Sequence, residues 1–147
     1  MRTPKYYDNT EGSLYIVAHL RGWSPYLFDV VKRLWRGGAK DPYKQELEKS
    51  IVVLQLWLSE MDRFNFRKAK QSGKPELVFS KLICEVVGLI EGSGKKAELA
   101  QNIGLSINLI RAEYRRELLN EHFNGSAKVI NFDGSISELE GDEYKNK

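Results

Sequence analysis

The chain predicts an all-α fold: a compact helical domain with a long central helix and a C-terminal helical hairpin. Three observations carry that expectation. Apolar residues recur at three- and four-residue spacing through most of the sequence, the pattern of helices with one buried face. Ser24-Pro25 and Asp41-Pro42 each offer a capping residue followed by proline at the first helical position. Gly37-Gly38, Gly92 and Gly125 stand where helices would stop.

Taken in order, the punctuation and periodicity predict helices near 11–21, 25–36, 42–66, 75–91, 95–102 and 106–122. The third is the longest. Leu47, Ile51, Leu54, Leu58 and Met61 follow a 4-3-4-3 seam, with Val53, Leu56 and Trp57 as a second apolar flank. Such a helix is central to the core or shared with another subunit. In the fourth, Pro75 marks the start, and Phe79, Leu82, Ile83, Val86, Val87 and Ile90 give a wide buried face. Its β-branched residues also suit short strands, but the periodicity over several turns favours helix. Between the two lies 64–74, rich in Arg, Lys, Gln and Gly, which reads as a linker or a frayed helix end. The expected organisation is a helical block at 1–66, a second at 75–124 and an acidic polar tail at 125–147, with Ala127 to Phe132 as a strand at most.

Composition sets broad bounds. Of 147 residues, 41% are hydrophobic and 29% charged, values typical of a folded globular chain. No apolar run is long enough to span a membrane, and the N-terminus lacks the apolar core of a signal peptide. A cytoplasmic protein is expected. The single cysteine, Cys84, sits among Leu82, Ile83, Val86 and Val87 and reads as a buried structural thiol. The net charge is +3, but 125–147 set three lysines against five carboxylates, so the rest of the chain is more basic. That bias suits phosphate-bearing ligands without demanding them.

The stretch 28–40, Phe-Asp-Val-Val-Lys-Arg-Leu-Trp-Arg-Gly-Gly-Ala-Lys, is the most informative. On a helix, Asp29, Lys32, Arg33, Arg36 and Lys40 share one face, and Phe28, Val31, Leu34 and Trp35 lie largely on the other. Cations at the end of a helix complement its dipole. Lys32, Arg36 and Lys40 could also hold a phosphate, with Tyr6, Tyr7 or Trp35 stacking on a base. The plainer alternative is a solvated face with an Asp29–Arg33 pair.

Residues 5–58 resemble a family of small bacteriophage proteins described as "unknown function, nucleotide kinase". The run Asp29-Val30-Val31-Lys32-Arg33-Leu34-Trp35-Arg36-Gly37-Gly38-Ala39-Lys40 is similar to that family's Asn-Val-x-Lys-Tyr-Leu-Trp-Arg-x-Gly-x-Lys block. Glu46-Leu47-Glu48-Lys49 matches the start of its second block, and Tyr6-Tyr7 its opening His-Tyr pair. Tyr6, Asp29, Arg33 and Glu46 depart from the family's His, Asn, Tyr and Asp. The resemblance implies an all-helical, phage-type product of the bacterial cytoplasm that handles nucleotides and forms a homo-oligomer.

Residues 95–116 look like a helix-turn-helix. Ala100 allows close crossing, Gly104 permits a left-handed turn, Ser106 can cap the next helix, and Leu99, Ile103, Leu105 and Ile110 form a small core. Were this hairpin to bind duplex DNA, Ser106, Ile107, Asn108 and Arg111 would approach bases. Lys95, Lys96, Arg115 and Arg116 would lie near phosphates.

Catalytic signals are weaker. Phosphoryl transfer needs cations around the phosphates and a carboxylate-held magnesium, for which Asp29 or Asp41 could serve. Gly88 to Lys96 differs from a phosphate loop by one residue of spacing and by Lys96 in place of Ser or Thr. His19 and His122 have no Cys partner that would suggest zinc. The leading expectation is therefore a phage-type accessory protein that binds nucleotides or other phosphate ligands through a basic helix end, without necessary catalysis; magnesium would enter only with phosphoryl transfer. A DNA-binding regulator and a non-enzymatic, partner-binding oligomer are the alternatives.

Overall fold

The computed structural model describes residues 13–39, 41–70, 79–122, 128–130 and 136–138. Five helices are described: α1 (Leu14–Arg21), α2 (Pro25–Trp35), α3 (Tyr43–Glu60), α4 (Lys81–Glu91) and α5 (Lys96–Asn120). The all-α expectation holds for them. A 3-10 turn, Met61–Arg63, continues α3.

Local chemistry explains most of the boundaries. Ser24 caps α2 by accepting from the Leu27 amide, with Pro25 at the first helical position as expected. Gly22 ends α1 in the left-handed conformation, at φ 65°. Asp41 does not cap α3. Pro42 occupies that position, and Asp41 instead pairs with Lys49 at 3.2 Å. The start predicted at Pro75 is corrected: Ser80 caps α4, its Oγ accepting from the Ile83 amide, and Phe79 and Ser80 are already outside the helix.

The chain divides into two units, Met1–Arg111 and Ala112–Lys147. In the first, α2 is the hub, packing most extensively on α3 and also on α4 and α1. Leu27, Val30 and Val31 of α2 meet a core that includes Leu47 and Leu54 of α3, Ile83 and Val86 of α4, and Ile103 and Ile110 of α5, all essentially solvent-free. Full burial of each such side chain contributes about 1.5–3 kcal/mol. Of the α3 seam, Leu47, Leu54 and Met61 are buried within the chain, and Ile51 and Leu58 are half-buried. Because α4 packs on α2, the expected boundary between blocks at 66 and 75 does not separate two cores.

The turn predicted at Gly104 is absent, since α5 is one helix of 25 residues. Leu99, Ile103, Ser106, Ile107 and Ile110 keep a single buried stripe running through it. Ser106 Oγ donates to the Asn102 carbonyl at 2.8 Å, one turn back, instead of capping a new helix. One interior glycine costs about 1 kcal/mol. Burying Ile107 and Ile110 beyond it offsets that cost.

The tight turn lies earlier, at Gly92 to Lys95. There the Gly94 amide donates to Glu98 at 2.7 Å, and Asn102 Nδ2 donates to the Leu89 carbonyl and to Ser93 Oγ. The second unit contains the end of α5 and a two-stranded antiparallel pair, β1 (Lys128–Ile130) and β2 (Ile136–Glu138), where the sequence predicted a polar tail with one strand at most, over Ala127 to Phe132. Cys84 is exposed and not buried, because it lies off the stripe formed by Ile83, Val86, Val87 and Ile90.

Candidate functional site

The basic face of α2 meets the start of α3 across the Gly37-Gly38-Ala39 turn. Gly37 lies so close to the Tyr43 ring that an added Cβ would fall 2.3 Å from Cδ1, so only glycine fits. Gly38 takes φ 88°, and its amide donates to the Asp41 carbonyl at 3.0 Å. The corner is therefore fixed by packing and by backbone hydrogen bonds.

Its cations are held. Asp29 pairs with Lys32 at 3.3 Å and with Arg33 at 3.2 Å, the second being the predicted i,i+4 pair. Arg33 also reaches Glu46 at 3.3 Å, a carboxylate whose residue is only 7% exposed. The Lys32 ammonium lies 5.8 Å from the Phe28 ring centroid. Arg36 follows directly on α2, half-buried. Trp35 is half-buried and meets Phe79 edge-on, its ring centroid 5.8 Å away. Tyr6, Tyr7 and Lys40 lie outside the described residues.

The predicted DNA-reading set does not share one face. Ser106 is fully buried and Ile107 is 5% exposed, so neither can approach a base edge; both face the core because α5 continues unbroken. Asn108, Arg111, Arg115, Arg116 and Lys95 are exposed. Arg116 pairs with Glu113, and Lys96 with Asp62. Gly88 to Lys96 is the end of a helix followed by a hairpin turn, and its Gly94 amide is already bonded to Glu98. It is no phosphate loop.

Two polar clusters were not anticipated. Arg21 donates to both oxygens of Glu91, from Nε at 2.7 Å and from Nη2 at 2.5 Å, and Trp23 Nε1 donates to Oε2 at 2.6 Å. All three residues are buried, and the bidentate geometry ties the α1–α2 joint to the end of α4. The second cluster centres on Tyr26. Its hydroxyl donates to Glu60 at 2.7 Å, while its ring stacks with Trp57 at 5.2 Å and with Phe64 at 6.1 Å. That hydrogen bond to a carboxylate, reinforced by burial and by the charge of Glu60, raises the phenol above its ordinary value; Arg63 opposes the shift. The sequence signal was weak, since Tyr26, Trp57 and Phe64 are far apart along the chain.

Among the described residues no three His, Cys, Asp or Glu side chains gather as a metal site would require. No described helix is long and apolar enough to cross a membrane. Comparison of the chain with protein families, curated proteins and solved structures gave no match.

Proposed function

We propose that the chain binds phosphate-bearing ligands, nucleotides foremost, at the α2–α3 corner, and that it does so without breaking a bond. The observation that carries this reading is the row Lys32, Arg33 and Arg36 beside the Gly37-Gly38 turn that packs on Tyr43, with Lys32 and Arg33 held by Asp29 and Glu46. Cations already held in place lose little side-chain freedom when an anion arrives. Binding is favoured over phosphoryl transfer because Asp29 and Asp41, the carboxylates suited to magnesium, are each engaged by cations. The resemblance of 5–58 to phage nucleotide-kinase-like proteins points in the same direction.

The test is a thermal-shift titration with nucleoside mono- and triphosphates, with and without magnesium. A ligand at about 100 times its dissociation constant adds about 2.7 kcal/mol, a shift of several degrees. Arg36→Ala is expected to abolish it. No shift with any nucleotide, or an undiminished shift in Arg36→Ala, rejects the reading.

A further inference from the structure

We propose that the extended segment 63–70 is a docking strap for single-stranded nucleic acid, separate from the α2–α3 corner. Its sequence, Arg63-Phe64-Asn65-Phe66-Arg67-Lys68-Ala69-Lys70, holds four cations and no carboxylate. From Phe64 onward it is neither helix nor strand. Phe66 and Ala69 are half-buried, whereas Arg63, Arg67, Lys68 and Lys70 are exposed and have no ion-pair partner among the described residues.

The strap is anchored at both ends. At its start Phe64 stacks with Tyr26, which stacks with the buried Trp57. At its end the backbone passes so near Gly22 that an added Cβ there would lie 3.1 Å from the Lys70 nitrogen. Lys96 pairs with Asp62, which brings the start of α5, with exposed Lys95 just before it, beside the start of the strap and sets a cation against the acid that precedes it in sequence.

Phe64 is 44% exposed while its ring stacks with Tyr26. Single strands are held by this pairing of features: cations track the phosphates while an exposed ring stacks on a base. A duplex keeps its bases stacked inside and offers the ring nothing. An anionic membrane would meet the cations and bury the ring instead of stacking on it, and the vesicle arm of the experiment tells the two apart. The partner chemistry is therefore a flexible phosphodiester chain with accessible bases.

The experiment is fluorescence anisotropy with a labelled oligothymidylate of about 20 nucleotides, a duplex of equal length, and phosphatidylserine vesicles in co-sedimentation. The single strand is expected to bind most tightly. Substituting Arg67, Lys68 and Lys70 together by alanine should weaken it by more than tenfold. The same variant should flatten the log–log salt slope by about 2, at roughly 0.7 for each phosphate left without its cation. Phe64→Ala should cost roughly tenfold with the slope unchanged, and Phe64→Tyr should restore binding. Lys81→Ala should change nothing, because the start of α4 lies by Phe79 and Trp35, at the other end of α2 from Tyr26. A circular-dichroism melt of each variant separates lost binding from lost folding. Duplex affinity equal to that for the single strand overturns the proposal. So does unchanged affinity in the triple variant or in Phe64→Ala, or binding to vesicles alone. Failure of the nucleotide titration leaves the strap untouched, since the two sites share no residue.

Discussion

Glu91 accepts three hydrogen bonds on two oxygens while only 3% exposed, and it makes the strongest single-residue claim in the molecule. Removing it takes from the buried Arg21 and Trp23 the carboxylate to which both donate, so Glu91→Ala is expected to cost about 3–5 kcal/mol in urea unfolding. Replacing Arg21 by Met and Glu91 by Leu together should recover part of that loss, because both charges of the buried pair are then gone and only the Trp23 N–H has lost its acceptor. Tyr26 carries a claim about pH. Its phenol is held above its ordinary value of about 10, chiefly by the hydrogen bond to Glu60. The folded state then keeps its proton where the unfolded chain releases it. The contribution is complete below about pH 10 and is lost as pH rises through the folded value. Glu60→Gln removes the charged acceptor and should bring the titration back toward normal. Ultraviolet titration checks this, with Tyr26→Phe as the difference reference; coincident curves for wild type and Glu60→Gln would refute the assignment.

At the scale of elements, Gly104 decides between two readings of the same residues. An interior helical glycine with nothing within 4 Å of an added Cβ should accept alanine with a gain of about 0.5–1 kcal/mol. A left-handed turn there would make Gly104→Ala destabilising, so a thermal melt of that variant tests the unbroken helix directly. Much of the helical architecture was legible in the sequence: Ser24-Pro25 started α2, Gly37-Gly38 and Gly92 follow α2 and α4, and the seam of α3 held Leu47 and Leu54 in the core. The misreading of 104–106 has a physical cause. A glycine followed by a serine carries the local chemistry of a stop and a cap, but the Leu99, Ile103, Ile107, Ile110 period passes straight through it, and burial outweighs the local preference. The basic corner was legible because its Asp29–Arg33 pair and Gly-Gly turn are local. Its partner Glu46 lies on the next helix, and Glu91 stands 70 residues from Arg21, a separation no spacing rule reads.

At the scale of the whole chain, the long α3 raised the choice between an internal core helix and a subunit interface, and its two faces answer differently. Leu54 is entirely buried against its own chain, where α3 packs on α2. A carboxylate there is desolvated and unpaired, so Leu54→Asp should unfold the protein at every concentration, a loss of more than about 3 kcal/mol. Val52 lies on the opposite side and is 61% exposed, with Leu56 at 48% one turn further on. Val52→Asp should leave the stability within about 0.5 kcal/mol of wild type, as surface changes do. The pair of variants therefore separates folding from assembly, which a single substitution in the seam cannot. Sedimentation equilibrium supplies the second readout: a drop in mass for Val52→Asp with an unchanged melt would locate an interface between copies on the outer face of α3. An unchanged mass would restrict that helix to its internal role, with Leu47, Leu54 and Trp57 on its buried side.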